Sequence, residues 1–114
     1  MIRGLALVAG VALLSAAPAA AAGRKTIRVE DNDFSPKTLT VSRGTTITWK
    51  WPGFDQAGDV HDVELKTGPK GVKKFHSDAA ATDYSFKRKL TVAGNYKIVC
   101  TLHEEMRMTI RVKH

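Results

Sequence analysis

From residue 23 onward, apolar and polar residues alternate with a period of two in one short run after another. Thr26-Ile27-Arg28-Val29-Glu30 and Thr38-Leu39-Thr40-Val41 alternate, and the second run ends at Arg43-Gly44, a turn signal. Thr45 to Trp51 sets Ile47, Trp49 and Trp51 on one face, with β-branched threonines opposite. His61-Asp62-Val63-Glu64-Leu65 predicts a strand opened by His61, whose face it shares with Val63 and Leu65. Tyr84 and Phe86 alternate, as do Tyr96, Ile98 and Cys100 after Gly94-Asn95, and Met108, Ile110 and Val112 at the end. No 3.6-residue stripe occurs in this part of the chain, and Asp78 to Asp83 has room for one turn at most. The pattern predicts an all-β domain of about seven short strands, arranged as an antiparallel sandwich or barrel. Two stretches interrupt it: the turn-rich Pro52 to Asp59, and the basic Lys66 to Asp78.

Residues 1–22 follow another rule. Met1-Ile2-Arg3 is a short cationic start, Leu5 to Leu14 is a compact apolar run, and Ala20-Ala21-Ala22 offers small residues at a cleavage position. The expectation is a cleaved secretory signal peptide over 1–22, followed by a single domain over 23–114. The alternative is an N-terminal anchor, but the apolar run is shorter than the ~20 residues that span a bilayer. After cleavage no membrane span is expected, and the product is exported, to a periplasm or the extracellular space.

At 114 residues this is one domain's length. The net charge of +7 becomes +6 once Arg3, the only charged residue of 1–22, is removed. Basic balance often signals nucleic acid, but here Lys and Arg are scattered and the aromatics fall on the core faces of strands, so no nucleic-acid partner is expected. Arg24, Lys25 and the Lys66 to Lys74 stretch are the expected docking cluster, on a surface otherwise read as simply solvated. Composition also leaves one cysteine, Cys100, which cannot close an internal disulfide. A small exported domain without disulfides lacks the usual staple, and a bound metal would replace it.

The candidate chemistry surrounds that cysteine. Cys100-Thr101-Leu102-His103-Glu104-Glu105-Met106 places a thiol, an imidazole and a thioether within seven residues, between one strand and the next. Thiolate and imidazole are good donors to copper, and a long, weak thioether bond is the further contact that blue-copper electron-transfer sites use. A fourth donor must come from elsewhere. His61 sits at the rim of the core; His76 lies in a polar connection and His114 ends the chain, so both read as solvated. Singly, each residue has a plain explanation: a buried cysteine is a small hydrophobe, a strand-edge histidine a hydrogen-bonding group, and Met106 and Met108 are core fillers. The ordered set His61…Cys100-x-x-His103-x-x-Met106 is improbable by accident. Met108 stays open as a competing thioether, although strand alternation makes it a packing residue.

These residues resemble the small cupredoxins, the blue (type 1) copper proteins, and in particular those of the amicyanin and plastocyanin kind. The likeness spans Phe34-Ser35-Pro36, Leu39-Thr40-Val41 before Gly44, Ile47-Thr48-Trp49, the His61 strand, Gly94-Asn95-Tyr96 and the ligand loop, whose short spacing is similar to amicyanin's. The resemblance implies an antiparallel Greek-key sandwich of about seven to eight strands, with one copper held by His61, Cys100, His103 and Met106. It implies a structural role for Tyr96, and a partly exposed His103 through which electrons leave, with Leu102 helping to form an apolar docking patch for a redox partner protein. It departs from the family at Leu102, where proline is usual, at Asp62, where asparagine is usual, and at Met108, where short-loop relatives tend to have glycine. In the family that asparagine ties the two ligand segments together; here Asp62 would do so through Thr101, adding a negative charge that favours Cu(II). The chain has no His-x-His and no histidine beside Cys100, which multicopper enzymes use for further coppers. The expected function is therefore a small, soluble, monomeric electron carrier cycling between Cu(I) and Cu(II), and not an enzyme. The alternative is an exported copper chaperone or store.

Overall fold

The computed structural model describes residues 23–114; the expected signal peptide lies outside the described residues. Eight strands follow in order: β1 (Arg24–Glu30), β2 (Asp33–Ser35), β3 (Thr38–Ser42), β4 (Thr45–Lys50), β5 (Glu64–Thr67), β6 (Ser85–Leu90), β7 (Gly94–Cys100) and β8 (His103–Lys113). A single 3₁₀ turn, Phe54–Gln56, interrupts the long loop after β4. The strands form two four-stranded sheets, ordered β2-β1-β4-β6 and β3-β8-β7-β5.

The sheets are mixed. Four ladders are antiparallel as expected, but β1 with β4 and β3 with β8 run parallel. The cause is that the chain changes sheet twice in quick succession, after β2 and again at Arg43-Gly44, so β3 and β4 each arrive beside a strand running the same way. Period-two alternation specifies which face is buried; it does not specify which neighbour a strand takes. At the second crossing Gly44 adopts φ 92°, a conformation open chiefly to glycine, and its N–H donates to the Leu90 carbonyl at 2.7 Å.

The core lies between the sheets. Ile27, Ile47 and Trp49 from one sheet meet Leu65, Ile98 and Ile110 from the other, all essentially without solvent exposure. Truncating such a side chain, as in Trp49→Ala, costs about 3–5 kcal/mol. Tyr96 is buried and its hydroxyl donates to the Val92 carbonyl at 2.6 Å, which pins the start of β7 and gives the tyrosine the structural role expected of it. At one end of the sandwich β7 finishes at Cys100 and β8 begins at His103, and the chain beyond β4 brings His61 to the same end.

Candidate metal centre

His61 does not open a strand, contrary to the sequence pattern. β5 begins only at Glu64, paired with Val99 of β7. The ladder between β5 and β7 ends at that pair, so His61 to Val63 lie beyond its last rung. They pair instead with the connection after β5. The His61 N–H donates to the Ala80 carbonyl at 2.9 Å and Ala80 returns the bond at 3.0 Å, while Ser77 bonds both polar backbone groups of Val63. Trp51 Nε1 donates to the Ala80 carbonyl at 2.8 Å, so the buried indole braces the same connection. The expected burial of His61, Val63 and Leu65 holds; Asp62 is also buried, because structure covers both of its sides.

Cys100 and His103 arise differently. The bulge sets Cys100 opposite His103 across the last rung of the β7–β8 ladder, with Thr101 and Leu102 as the turn between them. The Cys100 Sγ then lies 3.7 Å from His103 Nδ1 and 4.0 Å from His61 Nδ1, and the two Nδ1 atoms are 3.2 Å apart. Among the described residues this is the only group of three such side chains close enough to share a metal ion. A first-row ion bound at usual lengths, about 2.0–2.1 Å to nitrogen and about 2.3 Å to sulfur, separates tetrahedral donors by about 3.3 Å (N to N) and about 3.6 Å (S to N). The observed triangle matches within a few tenths of an ångström, and a soft thiolate with two imidazoles is a donor set suited to copper.

Asp62 ties the two segments together. Its carboxylate accepts from the Thr101 N–H at 2.7 Å and from the Thr101 hydroxyl, and its own N–H points at Cys100 Sγ at 3.5 Å. Burial works to raise the Asp62 pKa, but hydrogen bonds from His76 and Thr101 outweigh it and hold the carboxyl below its ordinary value. Burial pushes the Cys100 thiol up, against the pull of the Asp62 and Leu102 N–H groups. An incoming cation must therefore displace the Cys100 proton, so binding weakens as the solution becomes acidic.

Met106 is fully buried and directly precedes Arg107, the partner of Val99, so it stands at the Cys100 end of the ladder. Met108 faces Ile98, two residues farther from the thiol, in the packing position that alternation assigns to it. Leu102 is 52% exposed, and the His103 side chain is 22% exposed against 2% for His61. His76, read as solvated, is half-exposed but bonded, with Nε2 2.8 Å from Asp62 Oδ2; that bond raises its imidazole pKa. His114 is exposed.

Sequence reasoning missed Asp31. It sits in the turn between β1 and β2, and its Oδ1 lies 3.0 Å from His61 Nε2 while accepting the Asp59 N–H at 2.8 Å. That N–H, and then His61, hold its carboxyl below the ordinary range. An Asp-Asn pair after an alternating strand signals only a hairpin turn, and nothing in the sequence links it to a histidine 30 positions on.

Residues 22–113 match the copper-binding proteins of the plastocyanin/azurin family. Among curated relatives, Amicyanin-alpha of Methylorubrum extorquens is 25% identical over 108 residues, covering 95% of this chain and 86% of that protein. Among solved structures, the reduced Cu(I) form at pH 4 of a P52G amicyanin mutant superposes with a TM-score of 0.65 at 22% identity, over 85% of this chain and 86% of that one. A pseudoazurin from Sinorhizobium has a TM-score of 0.65 at 18% identity, over 81% and 75%. Both structures share the fold. With the match over nearly all of residues 23–114, this chain belongs to the plastocyanin/azurin family of copper-binding proteins.

Proposed function

We propose that the protein is a type 1 copper electron carrier, with His61 Nδ1, Cys100 Sγ and His103 Nδ1 as the principal ligands and the Met106 thioether as a weak further one. The observation that carries this reading is the convergence of one thiol and two imidazole nitrogens, 3.2–4.0 Å apart, at the end of a rigid sandwich. When bound, copper supplies one-electron chemistry between Cu(I) and Cu(II). The chain's part is to hold the donors in an arrangement that both oxidation states accept, so that little has to move on electron transfer.

His61 and Cys100 are sealed from solvent, which keeps water and small reductants away. His103 is the edge a partner can approach, and Leu102 beside it offers apolar contact area. The partner is a redox protein that docks at this end, and surface charge steers the encounter in a salt-dependent way. Cys100 is flanked by Val99 and Thr101, with no second set of histidines for a substrate-binding copper, which favours a carrier over an enzyme. The expected signal peptide over 1–22 places the work outside the cytoplasm, in a periplasm or beyond, as a monomer of residues 23–114.

An optical spectrum tests the reading. The domain loaded with Cu(II) is expected to be intensely blue, and Cys100→Ser to be colourless at equal copper content. A colourless native complex overturns it. Slow, irreversible voltammetry of a blue protein would instead favour the chaperone or store.

A further inference from the structure

The far side of His61 carries an arrangement that the ligand set does not require. Nδ1 faces Cys100 and His103, so the ring's orientation depends on what Nε2 meets, and Nε2 meets the Asp31 carboxylate at 3.0 Å. A carboxylate only accepts, so the hydrogen lies on Nε2 and Nδ1 is left with its lone pair turned inward. The same Oδ1 accepts the Asp59 N–H at 2.8 Å, which fixes the carboxylate against the loop after β4. His103 has no equal: its Nε2 is 3.8 Å from Asp59 Oδ2, too long for a hydrogen bond.

A second observation is independent of these bonds. Gly58 lies where the loop passes over Asp31, and a Cβ there would sit 2.6 Å from Asp31 Cγ, with both carboxylate oxygens closer still. Gly58 is not among the positive-φ glycines, so its backbone conformation does not call for glycine. What calls for it is room for the Asp31 carboxylate.

We propose that Asp31 is a positioning residue for the copper centre: it fixes the His61 ring and its tautomer through Nε2, Gly58 leaves the space that lets it do so, and its negative charge favours the oxidised, more positive state. The inference rests on the type 1 copper reading. Carboxylate–histidine–metal relays of this kind raise ligand basicity and orient the ring. The charge is removed from the metal by one imidazole, which makes it a tuning device and leaves the ligand set unchanged.

Three variants separate the contributions. Asp31→Asn keeps an acceptor for Nε2 and for the Asp59 N–H but removes the charge; Asp31→Ala removes both; Gly58→Ala leaves Asp31 in the chain and displaces its carboxylate. The copper-loaded native domain being blue establishes the underlying reading, and a colourless native complex defeats reading and inference together. Given blue protein, the reduction potential is expected to rise in all three variants. In the metal-free protein, NMR is expected to show the His61 Nε2 proton protected from exchange in the native domain and in Asp31→Asn, and unprotected in Asp31→Ala and Gly58→Ala. The metal-free spectra also report whether each variant is folded, and Gly58→Ala stands in should an Asp31 variant fail to fold. Blue variants whose potentials equal the native value, or a His61 Nε2 proton as protected in Asp31→Ala as in the native domain, overturn the proposal while leaving the copper reading intact.

Discussion

Cys100 and His103 face each other across the last rung of an antiparallel ladder, whereas His61 lies outside every strand and is placed by one backbone bridge and a set of side-chain hydrogen bonds. In the first segment the sheet itself sets the spacing of the donors. In the second, spacing depends on Trp51, Ala80, Asp31 and, through Asp62, Thr101, residues 10 to 40 positions away that must all be in place. The two histidines differ in the same sense: His61 is sealed and bonded at both nitrogens, while His103 keeps a solvent edge. One arm is thus specified locally and left open at its rim, and the other is specified by tertiary contacts and closed.

The largest expected effect comes from bridging the arms. A ligand that binds only the folded state at a free concentration one hundred times its dissociation constant stabilises by about 2.7 kcal/mol. For a domain of this size that raises the melting temperature by about 10 °C or more. Calorimetry with and without copper is expected to show this increment in the native domain and to lose it in Cys100→Ser. An equal increment in both would mean that copper binds elsewhere.

The next effect separates the histidines. His103→Gly removes a ligand at a solvent edge, so added imidazole can enter and occupy the position; His61→Gly opens a hole beneath a closed surface. The blue colour is expected to return to His103→Gly at a far lower imidazole concentration than to His61→Gly. Equal titration curves would erase the distinction between an open and a closed arm.

A smaller contrast lies within the ligand loop. Met106→Ala is expected to alter the visible and electron-paramagnetic spectra of the copper protein, because it removes the thioether proposed above as a weak ligand. Met108→Ala removes packing against Ile98 and is expected to cost about 2–5 kcal/mol of stability with the spectra unchanged. Spectral change confined to Met108→Ala would exchange their roles.

How legible each arm was in the sequence follows from what holds it. Cys100 and His103 lie within four residues at the ends of an alternating strand pair, so local spacing carries their geometry. The buried face of each alternating run is legible for the same reason, but the three-residue β2, Asp33–Ser35, is too short to show a period. Strand partners are not legible, since the two crossings between sheets that make β1–β4 and β3–β8 parallel leave no mark on a period-two pattern. His61 is singled out by elimination among the histidines, and alternation places it in a strand because a period-two pattern does not mark that its backbone pairs with Ala80 instead of with β7. The Asp62–Thr101 tie followed from a family resemblance and matches the hydrogen bonds observed. Asp31 and the bond between His76 and Asp62 could not be read, because each joins two turn or loop residues through side chains alone.

That last bond gives the smallest effect and the finest test of how the closed arm is braced. Protonated His76 donates to Asp62, whose other contacts reach Thr101 in the open arm, so a charge on His76 helps to clamp the two arms together. Asp62 raises the His76 pKa above 6.5, so the contribution of His76 is fully present below 6.5 and is lost as pH rises through the raised value. The Asp62 carboxyl is held below 3.8, so its contribution is present above 3.8 and is lost as pH falls through the lowered value. Both operate together from about pH 4 to about pH 6.5. Half of the His76 side chain is exposed, which limits the ion pair to about 0.2–1 kcal/mol. His76→Gln keeps a hydrogen-bonding group and removes only the charge. Thermal melts of the metal-free domain are expected to place the variant a few degrees below the native protein at pH 5.5 and close to it at pH 9. A difference of the same size at both pH values would mean that His76 contributes packing and no charge, and that Asp62 is held by Thr101 alone.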